Sequence, residues 1–270
     1  MLTLIPTPIG NIKDITFRSL EVLQEAQIVL CEDTRVTKQL LHILESRFDF
    51  KAPNAKFISF FEHNQYKKIE EIAPLLKEKK CVYLSDAGMP GISDPGALLV
   101  EFCQKNSISY DVLPGPSVAP LIYAASGFES GKFYFYGFLP KKGQERTKEI
   151  TKVVNSPFDT IIYEAPHRIL QLLEEILKID SNKELFVAKE ISKKFQKYFF
   201  GTVKEVLEEI KSSSTKGEWA LVLKGSTKLK ESSISLEEIK ALDIPPKAKA
   251  KIIAKITNKS IKECYSELIN

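Results

Sequence analysis

The chain has 270 residues, 43% of them hydrophobic and 27% charged, which exceeds one ordinary core and suits two domains with a small appendage. A net charge of +4 is too small to establish nucleic-acid binding by itself. Apolar runs such as Phe57 to Phe61 and Thr160 to Tyr163 are too short for a membrane span, and the opening MLTLIPTPIG carries no basic leader, so a cytoplasmic location with no membrane partner is expected.

In chain order, short apolar strands alternate with amphipathic helices. Strands are predicted at Leu2–Ile5, Ile28–Cys31, Lys56–Phe60, Val82–Ser85 and Ser109–Leu113. Between them the spacing predicts helices at Thr16–Ala26, Thr34–Glu45, Lys67–Lys79 and Pro95–Lys105. This repetition points to a mostly parallel sheet covered on both faces. Pro114, Gly115 and Pro116 then punctuate the chain, and a second α/β unit follows. Its strands are predicted at Phe133–Phe138, Thr160–Tyr163, Leu185–Lys189 and Trp219–Leu223. Its helices are predicted near Ser117–Ala125, Gln144–Val154, Arg168–Ile179 and Val203–Lys211, the last opened by a capping box from Thr202 to Glu205.

Residues Gly225 to Ser233 read as a linker, and Ser235 to Glu238 as another capping box. Pro245-Pro246 opens a helix in which Lys247, Lys251 and Lys255 share one face and Ile252, Ile253 and Ile256 serve the other. A last helix spans Ile261 to Ile269. From Lys228 to Asn270 there are nine lysines against six acids, so most of the positive excess lies here. This tail is either a solvated cap or an RNA-contacting module. The expected organisation is therefore residues 1–115, 116–227 and 228–270.

The four cysteines, Cys31, Cys81, Cys103 and Cys264, form no C-x-x-C spacing and read as buried free thiols. His42, His63 and His167 are scattered, and no metal site is expected.

The most informative stretch is SDAGMPGISDPG, Ser85 to Gly96, directly after the strand CVYL. Ligands of open α/β sheets bind beyond the carboxyl ends of strands. Three glycines and two prolines among these twelve residues fix unusual backbone angles and let a ligand approach the main chain. Asp86 stands where a carboxylate can bind a ribose or an amine, whereas Asp94 before Pro95 also suits a helix cap. Thr7 to Asn11 resembles a degenerate ligand loop but is neither G-x-G-x-x-G nor a Walker A loop. Glu32-Asp33-Thr34-Arg35 ends the second strand, either as a local ion pair or as polar substrate contacts. Ser117 either caps the next helix or holds a ligand. The clusters Tyr163 to Arg168 and Lys189 to Lys194 also lie at strand ends, where charged groups are costly to bury without partners.

Taken together, PTPIGN, EDTRVTKQLL, SDAGMPGISDPG, PGPS, GFLP, EAPHR and GEWALV, in this order, resemble the ribosomal RNA small subunit methyltransferase I family of the tetrapyrrole methylase superfamily. The tail from Leu242 is similar to that family's C-terminal segment. The resemblance implies two consecutive α/β domains of the tetrapyrrole methylase type with a cofactor cleft between them, plus a small C-terminal helical segment. It implies S-adenosylmethionine held by Ile9, Asp86, Met89, Gly91, Ser117, Val118, Glu164 and Ala220. It implies methyl transfer to the 2′-hydroxyl of a cytidine in 16S ribosomal RNA, free or within the small subunit, by a homodimer. The family's E-S-P-H-R reads EAPHR here, and its R-E-L-T-K reads Lys189 to Lys193. A role of the family's serine hydroxyl therefore cannot pass to Ala165, and Lys189 lacks the planar fork of an arginine.

A ribose hydroxyl needs its proton removed and an in-line approach to the methyl group. Glu190 is the candidate base or orienter, Lys193 the candidate alkoxide stabiliser and His167 a second candidate base. Lys13, Arg18, Arg35, Lys141, Lys142, Arg146, Lys247 and Lys251 are candidate phosphate contacts. Two rivals remain: a methylase of tetrapyrrole carbons on the same fold, and a non-catalytic RNA-binding or ribosome-assembly factor.

Overall fold

The first sheet is built from β1 (Leu2–Ile5), β2 (Ile28–Cys31), β3 (Lys56–Ser59), β4 (Cys81–Leu84) and β5 (Tyr110–Val112). Its strand order is β3-β2-β4-β1-β5, and every pairing is parallel. β4 is therefore central and β1 its neighbour. The runs LTLI, IVLC and CVYL are buried at every position, as parallel strands between two helical layers must be. Alternate residues serve opposite faces. Leu2, Leu4, Leu30 and Tyr83 pack with α3 (Gln65–Glu78) and α4 (Gly96–Lys105), while Ile5, Val29 and Leu84 pack with α1 (Phe17–Gln24) and α2 (Thr34–Arg47). The computed structural model describes residues 1–226, 236–257 and 259–269.

The second sheet follows α5 (Val118–Ser126) and takes the order β6-β7-β10-β8-β9. Its strands are β6 (Phe133–Phe138), β7 (Asp159–Glu164), β8 (Glu184–Lys189), β9 (Lys197–Thr202) and β10 (Trp219–Leu223). Only β6 and β7 run parallel; the other three pairings are antiparallel. The strand β9 is absent from the sequence-based expectation. Its segment KYFFGT mixes charge, aromatics and glycine, with Phe199 buried and Phe200 exposed, as an edge strand does. One face packs α6 (Gly143–Val154), α7 (Ile169–Ile179) and α8 (Val203–Lys211) through Ile150, Leu172, Leu207 and the inward residues of β8 and β10. The other face packs α5 and also Ile9, from the loop after β1. The capping box at Thr202 is present, with Glu205 answering the Thr202 backbone.

The chain divides into the units Met1–Ser226 and Thr227–Asn270, so both sheets lie in the first. The expected boundary at residues 115 and 116 falls between β5 and α5. Residues 227 to 235, which hold most of the expected linker and the Ser235 cap, lie outside the described residues. The second unit holds α9 (Leu236–Ala241), α10 (Pro246–Thr257) and α11 (Ile261–Ile269) around Ile239, Ala250, Ile253 and Cys264. This corrects the apolar stripe expected of α10. Ile253 is buried with Ala250, three residues before it on the same face, whereas Ile252 and Ile256 are exposed. All four cysteines are free and buried. Among the described residues no helix is long and apolar enough to cross a membrane.

Candidate functional site

The loops after β1 and β4 are sewn together at the carboxyl edge of the first sheet. Thr7 and Gly88 exchange backbone hydrogen bonds of 3.0 and 3.1 Å, and the Thr7 hydroxyl donates to the Ser85 carbonyl at 3.1 Å. The Ser85 hydroxyl in turn donates to the Gly88 carbonyl at 3.1 Å. The turn from Ala87 to Met89 is thereby held against a cavity of about 530 Å³ whose far wall comes from the second sheet. Tyr163 and Glu164 end β7 and Ala165 follows it, Ala188 lies on β8, and Trp219 and Ala220 lie on β10. Such a volume suits a nucleoside-sized ligand.

Most of the expected cofactor contacts meet here. Ile9, Asp86 and Met89 come from the first sheet's loops, Ser117 and Val118 from the start of α5, and Glu164 and Ala220 from the second sheet. Gly91 instead lines an adjoining cavity of about 640 Å³, which shares Glu32, Ile92, Ser93 and Asp94 with the first. Glu164 reaches the wall with its carboxylate already engaged. One oxygen accepts from the Ala165 N–H at 2.8 Å and Arg168 Nε at 2.7 Å; the other accepts from both Nη atoms of Arg146 at 3.2 Å.

The wall on the first-sheet side is acidic. Glu32 Oε1 accepts the Asp86 N–H at 3.0 Å, and Asp94 Oδ1 accepts the N–H groups of Gly91 and Gly96 at 2.8 Å each. Asp94 is thus not the expected N-cap, which is Pro95, but from one residue earlier it holds the first N–H of α4 and shapes the loop. Burial raises the pKa of Glu32, Asp86 and Asp94 above the ordinary carboxylate range, against these hydrogen bonds. In the EDTR segment the local ion pair expected as one of two readings is present. Asp33 pairs with Arg35 at 2.7 Å and falls to about 2 through that side-chain hydrogen bond, while Glu32 faces the cleft.

The candidate catalytic residues are placed differently. Lys193 Nζ lies 3.2 Å from Glu190 and 2.9 Å from Glu218. Glu190 also accepts the Glu218 N–H at 2.8 Å, which, against burial and with the help of Lys193, holds its carboxyl below the usual range. Burial opposes the ammonium of Lys193, but the two carboxylates raise its pKa. Of this trio only Glu218 lines the cavity, and His167 is exposed outside it. The turn is strained: Glu190 and Ser192 have φ of 53° and 64°, a left-handed conformation that costs about 1–2 kcal/mol per residue. Close packing holds it. A Cβ on Gly10 would stand 2.5 Å from Lys193 Cγ, and one on Gly217 would stand 2.7 Å from Glu190 Cγ. The Ser192 hydroxyl donates to Asp14 at 2.5 Å, tying this turn to the loop after β1.

Among the expected phosphate contacts, Arg146 is a correction. Its side chain is 2% exposed and bonded to Glu164, Glu175 and the Pro140 carbonyl, so no phosphate can reach it. Arg18 and Arg35 are exposed but paired with Asp111 and Asp33. Lys13, Lys141, Lys142, Lys247 and Lys251 are exposed. Sequence reasoning gave no site role to Glu218, Ile191, Phe138 or Tyr163, which line the wall; the signals were that Glu218 and Phe138 sit inside the motifs GEWALV and GFLP, and that Tyr163 and Ile191 belong to the strand-end clusters.

Residues 1–207 match the family model of Tetrapyrrole (Corrin/Porphyrin) Methylases. The chain is 42% identical to ribosomal RNA small subunit methyltransferase I of Helicobacter pylori, covering 98% of this chain and 96% of that protein. It is 43% identical to the protein of that name in Campylobacter fetus over the whole of both chains, and 42% identical to that of Thermotoga maritima over 83% of this chain and 98% of the other. A uroporphyrin-III C-methyl transferase from Thermus thermophilus, solved with S-adenosyl homocysteine, shares the fold at a TM-score of 0.54 and 16% identity, covering 82% of this chain and 96% of that one. The chain therefore belongs to the tetrapyrrole methylase family and, within it, to the ribosomal RNA small subunit methyltransferase I family.

Proposed function

We propose that the protein transfers a methyl group from S-adenosylmethionine to the ribose 2′-hydroxyl of a cytidine in 16S ribosomal RNA. The observation that carries this reading is the convergence of the Ala87 to Met89 turn with Tyr163, Glu164 and Ala220 around one cavity, in a chain with full-length relatives named for ribosomal RNA methylation. The wall fits the cofactor's chemistry. Apolar Ile9, Met89 and Val118 suit an adenine face, and the acidic edge at Asp86 and Glu32 suits ribose hydroxyls and a cationic donor. When bound, the cofactor supplies an electrophilic methyl group on a sulfonium.

The protein's own part is positional and electrostatic. Lys193, held by Glu190 and Glu218 at the rim, supplies a fixed positive charge for a hydroxyl losing its proton. Glu190 has a lowered pKa and is a weak base, so its role in this reading is to orient Lys193. His167, exposed at the loop after β7, stands as the alternative proton acceptor once RNA covers it. The acceptor partner is the small subunit or its RNA, the working assembly a homodimer and the compartment the cytoplasm.

Labelled S-adenosylmethionine incubated with unmodified small subunits, and in parallel with a tetrapyrrole, tests the reading. Label on a cytidine ribose is expected. Label on the tetrapyrrole favours a carbon methylase, and no transfer to either favours a non-catalytic assembly factor.

A further inference from the structure

Arg146 is among the largest fully buried side chains of the protein, yet it does not line the cleft. Its guanidinium spends each edge on a different piece of chain. Nη1 donates to the Pro140 carbonyl at 3.0 Å, two residues beyond Phe138 of the cavity wall. Nη1 and Nη2 both donate to Glu164 Oε2 at 3.2 Å, and Nε donates to Glu175 Oε2, on α7, at 2.9 Å. With the Ala165 N–H and Arg168 on its other oxygen, the Glu164 carboxylate has its acceptor positions filled by protein. It is 0% exposed and has no capacity left for a ligand. The two glutamates and two arginines balance in charge, as a buried group must.

We propose that Arg146 is a positioning residue for methyl transfer. It acts through Glu164 to lock the β6–α6 loop and the β7–α7 loop to one another, fixing the distance between Phe138 and the Glu164 to Pro166 wall. This rests on the methyl-transfer reading above. Stability alone does not call for such a network, because buried ion pairs are commonly replaced by apolar residues without loss. What this pair does that a methionine could not is bind three separate segments in fixed directions with one planar fork. A lysine in its place keeps the charge and loses the fork.

The experiment compares Arg146→Lys, Glu175→Gln and the charge-balanced double variant Arg146→Met/Glu175→Gln with the wild type. Three quantities are read: the thermal midpoint, the affinity for S-adenosylhomocysteine by calorimetry, and kcat and KM with unmodified small subunits. Arg146→Lys is expected to lose roughly tenfold to a hundredfold in kcat, the scale of an ångström misplacement, with KM for the subunit little changed. The double variant is expected to regain the wild-type midpoint without regaining kcat, and Glu175→Gln to fall between. Wild-type kcat in any variant that keeps the wild-type midpoint overturns the proposal. So does a loss of turnover that merely follows the fraction of protein folded. A wild-type protein that neither binds S-adenosylhomocysteine nor methylates RNA removes the methyl-transfer reading itself, before any variant is compared.

Discussion

Glu32 sits where two cavities meet, half-buried, with one oxygen on the Asp86 N–H. Burial raises its pKa, so the folded state binds a proton more readily than the unfolded chain does. The sign follows from linkage: a raised carboxylate penalises folding above its folded pKa, and the penalty fades as pH falls through that value. Glu32→Gln keeps the acceptor for the Asp86 N–H and removes the charge. Its thermal midpoint is expected to exceed that of the wild type at neutral pH, with the difference closing as pH falls into the carboxylate range. A pH-independent difference in scanning calorimetry would refute this. A motif such as EDTR announces that charges are present at a strand end. Which of them turns to solvent and which to a cleft depends on neighbours such as Asp86, far along the chain.

At the scale of elements, α8 shows how local chemistry fixes a boundary. The Thr202 backbone N–H donates to Glu205 at 2.9 Å, and the Glu205 N–H donates to the Thr202 hydroxyl at 3.4 Å. The helix then buries Val203, Val206, Leu207 and Ile210 on the second sheet. Thr202→Ala is expected to cost about 1 kcal/mol of stability, a fall of roughly 2–4 °C in the midpoint for a domain of this size. Denaturant unfolding checks it, and an unchanged midpoint would show that the cap is dispensable. Caps of this kind are local, and this one was legible in T-V-K-E. Strand β9 was not legible, because pairing with β8, rather than its own weakly patterned residues, holds it in the sheet. The antiparallel direction of β8 and β10 escaped sequence reading for the same reason: direction belongs to a pair of strands.

Across the whole molecule the charge is uneven. Exposed Lys141 and Lys142 lead into α6, and exposed Lys247 and Lys251 lie on α10. If these contact phosphate, replacing a pair with alanine lowers the salt dependence of RNA binding. The expected drop in the slope of log K against log salt is about 1–2 per pair, from about 0.7–0.9 per phosphate contact. Filter binding to small-subunit RNA from low to moderate salt measures it. An unchanged slope in both double variants removes these lysines from the interface. The modest net charge of +4 makes any such attraction local.

From sequence alone came the parallel first sheet, the turn-rich loops at the strand ends, the capped helices, the family and a part of the residues that line the cleft. All of these depend on neighbours a few residues apart or on recognisable runs of them. Only the tertiary structure decided that Arg146 lies inside among glutamates, that Glu164 is spent on arginines, and that Lys193 stands between Glu190 and Glu218. A charged side chain looks the same in sequence whether water or a distant carboxylate solvates it. Its partner is chosen only when the sheets close and burial makes an unpaired charge too costly to keep.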